Sequence, residues 1–141
     1  MNAPKILSFK CHRITGGVGV GEAILSRDNI CFSLTDPETG AVIEKNHSLQ
    51  GQSVAHRVVI FPGGKGSSVV QAAGLYYLSM KGTGPKALII QHPDTVLVAS
   101  VVMLEIPLVD RVEEEFYRQV RNGSLVKVDA DNEVITLMPP H

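Results

Sequence analysis

The run Val58-Val59-Ile60-Phe61, followed at once by Pro62-Gly63-Gly64-Lys65-Gly66-Ser67-Ser68, limits what this chain can fold into more than any other stretch. Four β-branched or aromatic residues without polar alternation suit a strand covered on both faces, as in a parallel sheet. The glycine-rich break ends that strand, and a helical pattern starts at about Ser67. Val70, Ala73, Tyr77 and Met80 then recur at spacings of three and four along one helical face. Gly82-Thr83-Gly84-Pro85 stops the helix, and Ala87-Leu88-Ile89-Ile90 reads as a second buried strand. Strand, loop, helix, strand is a βαβ crossover, which is right-handed in nearly all proteins.

Further elements surround this unit. Residues 19–26 and 29–34 read as short strands about Ser26-Arg27-Asp28-Asn29, with Gly17-Val18-Gly19-Val20-Gly21 as turns around an edge strand. Thr35-Asp36-Pro37-Glu38-Thr39-Gly40 is a turn signal, because Pro presets φ and Gly tolerates positive values. Residues 94–104 suit a strand by their β-branched content and a short helix by the Pro93-Asp94 that opens them. Asp110 and Glu113 have capping-box spacing, and Val112, Phe116 and Val120 form the stripe of the following helix, with Glu114 four residues before Arg118. Asn122-Gly123 stops that helix. Residues 125–128 and 133–137 then flank Asp129-Ala130-Asp131-Asn132 as a closing hairpin. The expected class is α/β, a βαβ core with additional antiparallel strands, as a single domain over residues 1–141.

Composition narrows the function classes. The chain is 44% apolar and 19% charged, enough to bury a core. Thirteen Lys and Arg against 14 Asp and Glu give a net charge of −1, so no nucleic-acid or membrane partner is expected. No apolar run reaches the roughly 18 residues of a membrane span. The opening residues lack the apolar segment of a signal peptide, which makes the cytoplasm the expected compartment. Cys11 and Cys31 stand far apart and outside any CxxC pattern, and His12, His47, His56, His92 and His141 show no paired ligand spacing. No metal site is therefore assigned to this chain.

The loop between Phe61 and the helix carries the candidate chemistry. Ligands of open α/β sheets bind at the carboxyl ends of strands, which is where this loop lies. Its glycines allow close backbone approach, the helix N-terminus adds about half a positive charge, and Lys65 adds a cation. Such a place can bind a phosphate or carboxylate, or it can stabilise a serine alkoxide that removes a proton. Ser67 and Ser68 also suit plain N-caps. The loop lacks Walker A spacing, and the chain has no G-x-S-x-G elbow.

Taken in order, Gly21-Glu22-Ala23, Asp36-Pro37-Glu38-Thr39-Gly40, Gly51-Gln52-Ser53-Val54-Ala55, residues 61–68, Gly84-Pro85-Lys86-Ala87 and Ile106-Pro107-Leu108-Val109-Asp110 resemble the small, swivel-domain subunit of the aconitase X family. The match spans roughly residues 11–112. The resemblance implies a swivelling β/β/α domain that works beside a large subunit, which holds an iron–sulfur cluster and most substrate contacts. Such a heterodimer would act as a hydro-lyase that removes water from a small-molecule hydroxy acid, and this chain alone would bind no cofactor. By similarity to aconitases, Ser67 is the proton-abstracting base, and Gly64, Lys65, Gly66 and Ser68 help bind the substrate anion. Aconitases carry an arginine two residues after the base, where this chain has Val69, so that contact must come from Lys65 or the partner. Bacterial members act on cis-3-hydroxy-L-proline and archaeal ones on phosphomevalonate. Residues 71–76 and 93–98 resemble the bacterial members, which puts hydroxyproline first. A non-catalytic anion-binding or assembly module is the remaining alternative.

Overall fold

A computed structural model describes residues 5–138. In chain order its elements are β1 (Leu7–Lys10), β2 (His12–Thr15), β3 (Val18–Leu25), β4 (Val58–Phe61), α1 (Ser68–Met80), β5 (Ala87–Ile90), α2 (Thr95–Leu104), β6 (Leu108–Asp110), α3 (Glu114–Gln119), β7 (Leu125–Asp129) and β8 (Val134–Leu137). The strands join in the order β1-β8-β7-β3-β4-β5-β6-β2. The stretch from β3 to β6 is parallel, while β7, β8, β1 and β2 pair antiparallel. Only Cys11 separates β1 from β2, yet they occupy opposite ends of that order. One residue spans no more than about 3.6 Å, so the sheet must curl until its two edges meet.

The unbroken apolar strands explain the layering. Val58 and Ile60 of β4, with Ala87 and Ile89 of β5, face one core that also holds Phe9, Phe116, Val126 and Ile135. Their neighbours Val59, Phe61, Leu88 and Ile90 face a second core, filled by Leu75 and Leu78 of α1 and Leu97 and Val101 of α2. Each strand residue is therefore buried, as a run without alternation requires. α1 follows β4 and leads to the parallel β5, completing the crossover.

Several expectations change. Residues 29–34 form no strand. Ile30 makes one parallel bridge to Gly64, and the chain then turns so that Phe32 stacks edge-on against Phe61, with centroids 5.8 Å apart. β3 is an interior strand rather than an edge, paired with β7 on one side and β4 on the other. Residues 95–104 are helical because Asp94 caps them, its Oδ1 accepting from the Leu97 N–H at 2.8 Å. Asp110 does not cap α3; it ends β6 and accepts from His12 Nδ1 at 2.6 Å, while Glu113 accepts from the Lys10 N–H. The stripe Val112, Phe116, Val120 is buried, and Arg118 pairs with Glu114 at 3.5 Å and with Glu115 at 2.7 Å. The face of α1 that carries Val70, Tyr77 and Met80 is the exposed one; Gln71, Gly74, Leu75 and Leu78 point inward. Residues 125–129 and 134–137 form the expected hairpin. No helix among the described residues is long and apolar enough to cross a membrane.

Candidate functional site

The parallel order of β4 and β5 puts their carboxyl ends side by side, so the loops that follow them lie together. Residues 62–67 lead into α1 and residues 91–94 into α2, so two helix N-termini open on the same edge of the sheet. The first loop is stitched down by its backbone. The Ile30 N–H donates to Gly63 O at 2.9 Å, and the Lys65 N–H donates to Ile30 O at 3.2 Å. Beyond Lys65 the chain turns through Gly66 at φ 101°, a value that strains any side-chain-bearing residue.

Ser67 is the N-cap of α1 with extended backbone angles, and it is exposed. Its Oγ accepts from the Val70 N–H at 3.4 Å, at the long limit for a hydrogen bond. The exposed hydroxyl thus sits at the positive end of a 13-residue helix, with one weak hydrogen bond among the described residues. Val69 beside it is 76% exposed, so an apolar rim borders the serine. Among the site residues expected from sequence, Gly64, Lys65, Gly66 and Ser67 come together in this loop. The Ser68 backbone opens α1, and its side chain lies outside the described residues.

Two arrangements had no signal in the sequence. Lys65 Nζ donates to Glu44 Oε2 at 2.5 Å, across 21 residues of chain, so its charge is balanced by a carboxylate. Gln71, only 6% exposed on the first turns of α1, donates from Nε2 to Gly66 O at 2.8 Å. Its Oε1 is buried and has no hydrogen-bond partner among the described residues. That oxygen lies 2.6 Å from where a Cβ on Gly64 would stand, and Asp94 Oδ2 lies 3.2 Å from the same point.

Metal chemistry has little to work with here. No group of three or more His, Cys, Asp or Glu converges among the described residues. Cys11 and Cys31 are both buried, and burial, reinforced by Glu133, pushes the Cys11 thiol up to about 11. A cluster ligand must be a thiolate, which the raised Cys11 disfavours, and clusters take about four such ligands where this chain has two cysteines. Cavities of about 610 and 600 Å³ open elsewhere, beside Arg13 and Pro107 and beside Leu7 and Asn122, and neither is lined by the serine loop.

Known proteins supply the remaining observations. Residues 8–137 match the family model described as aconitase X swivel domain. A protein of Methanothrix thermoacetophila named phosphomevalonate dehydratase small subunit is 42% identical over 132 residues, covering 93% of this chain and 95% of its own length. A protein of the same name from Methanocella arvoryzae is 39% identical, covering 93% and 99%. The crystal structure of Thermococcus kodakaraensis aconitase X in its holo-form superposes with a TM-score of 0.84 at 34% identity, covering 94% of this chain and 98% of that one. A structure solved in solution by NMR superposes with a TM-score of 0.82 at 39% identity, covering 94% and 99%.

Proposed function

Because the chain belongs to the aconitase X swivel-domain family, we propose that it is the small subunit of a two-chain dehydratase in which Ser67 is the base. The substrate reading follows the relatives. Their shared name puts phosphomevalonate ahead of cis-3-hydroxy-L-proline, the order opposite to that expected from residues 71–76 and 93–98. The large subunit is the partner and the holder of the iron–sulfur cluster, since a cluster takes about four ligands and this chain has two buried cysteines.

One observation carries the catalytic assignment. The Ser67 hydroxyl is exposed at the start of α1, bound among the described residues by a 3.4 Å cap contact alone, at the strand ends where ligands of such sheets bind. A serine hydroxyl is a poor base in water, and the helix terminus with the loop N–H groups stabilises the alkoxide form. In phosphomevalonate the leaving hydroxyl is β to the carboxylate. Ser67 Oγ, as the alkoxide, takes a proton from the α carbon; the C–H electron pair becomes the double bond, the β C–O bond breaks, and the departing hydroxide takes a proton from solvent and leaves as water. Gly64, Lys65, Gly66 and Ser68 supply the loop that receives the substrate anion. Lys65 acts there as half of a pair with Glu44, so the loop relies on N–H donors more than on net charge.

The test is to co-express both subunits and screen phosphomevalonate and cis-3-hydroxy-L-proline for loss of water. Ser67→Ala should assemble normally and lose at least about 100-fold in turnover, the scale of a removed general base. Wild-type turnover in that variant removes Ser67 from the mechanism, and turnover of hydroxyproline alone reverses the substrate order.

A further inference from the structure

Gln71 is a buried polar residue that the proposed chemistry leaves unused. Its backbone N–H donates to Ser67 O at 2.9 Å, as a helix start requires, while its side chain reaches back to Gly66 O at 2.8 Å. The Gly66 carbonyl and the Ser67 N–H belong to one trans peptide plane and point in opposite directions. Holding that carbonyl inward against a residue 6% exposed therefore turns the Ser67 N–H outward, where Gly66 and Ser67 are exposed. No described residue accepts from that N–H. We infer that Gln71 is a positioning residue that fixes the Gly66–Ser67 peptide and so presents the Ser67 N–H and hydroxyl together to the substrate. The inference rests on the reading of Ser67 as the reacting group.

The Nε2 donation to Gly66 O fixes which way round the amide lies. Turning the amide over would give Oε1 a different neighbourhood but would set it against Gly66 O, acceptor against acceptor. The side chain keeps its donor on the loop and leaves its own acceptor unmet, pressed over Gly64. A side chain at Gly64 would drive into that oxygen at 2.6 Å, which ties the glycine to the same clamp.

Two variants of Gln71 separate positioning from mere packing. Gln71→Glu keeps the shape and removes the donor when ionised, yet restores an O–H donor when protonated; Gln71→Leu has none at any pH. In the assembled two-chain enzyme at pH 8, both should lose about 100-fold in kcat, the scale of a slightly misplaced group. Relative to wild type at each pH, the Glu variant should recover as pH falls and the Leu variant should not. Parallel profiles for the two variants, or wild-type turnover in either, overturn the inference. A second arm needs no turnover. In amide spectra of the free chain, Gln71→Leu should move the Gly66 and Ser67 cross-peaks and leave Val126 and Ile135 in place. If Ser67→Ala stays active the base assignment fails, and the cross-peaks still decide the clamp: unmoved peaks overturn it.

Discussion

Gly74→Ala should destabilise this protein although helix propensity says the reverse. Gly74 lies inside α1, where alanine is favoured over glycine by about 0.5–1 kcal/mol. The structure opposes that gain with backbone. A Cβ at this position would stand 2.2 Å from Ser33 N, 2.3 Å from Phe32 C and 2.7 Å from Phe32 O, against an ordinary contact of 3.4–4 Å. No rotamer relieves a clash with main chain, so α1 must lift by more than 1 Å from the 32–33 segment, judged from the 2.2 Å and 3.4 Å figures. Lifting also loosens the Ser33 Oγ donation to Val70 O and opens space around Leu75 and Leu78, which are 1% and 0% exposed. Overpacking costs about 1–3 kcal/mol, and a lost hydrogen bond adds about 1 kcal/mol. Set against the helix-propensity gain, the net loss is about 2 kcal/mol, which for a chain of this size lowers Tm by roughly 7 °C. Thermal unfolding followed by circular dichroism measures it. An unchanged or raised Tm would mean that α1 is not seated on residues 32–33, and the placement of Ser67 at its head would fall with it.

Asp94→Ala removes the 2.8 Å cap on Leu97 and should cost about 1 kcal/mol in urea unfolding, while Asp94→Asn keeps an acceptor and stays near wild type; equal stability of the Ala variant would deny the cap. Cys11 should resist alkylation at pH 8 in the folded chain and react readily in urea, because burial holds its thiol up to about 11. The folded state then keeps a proton that the unfolded state loses from about 9.0 upward, so stability falls as pH rises through that window. Comparison with Cys11→Ala isolates this contribution: the variant should lose less stability than wild type between pH 8 and pH 10.

Much of the functional unit could be read from local pattern. The apolar run 58–61, the glycine break and the second run 87–90 each carry their own signal, because a strand covered on both faces needs only neighbours of one kind. The cap at Asp94 was half legible: Pro93-Asp94 marked a helix start, while the β-branched residues after it argued for a strand. The stripe at Val70, Tyr77 and Met80 shows the limit of periodicity. It identifies a helix, but two faces of α1 are apolar, and which one turns inward depends on where Phe32 and α2 lie.

Chain order alone dictated that a strand, a glycine loop and a helix follow one another, and with that the presence of a serine at a helix start. It could not say that β1 and β2, one residue apart, close opposite edges of a curled sheet. Nor could it say that Glu44 balances Lys65, that Gln71 grips Gly66, or that Gly74 admits the 32–33 backbone. Each of these depends on atoms that meet only after the chain has folded back on itself. Local preference is a property of a few adjacent residues, whereas charge balance, close approach and the aim of a peptide plane are properties of distances between distant ones.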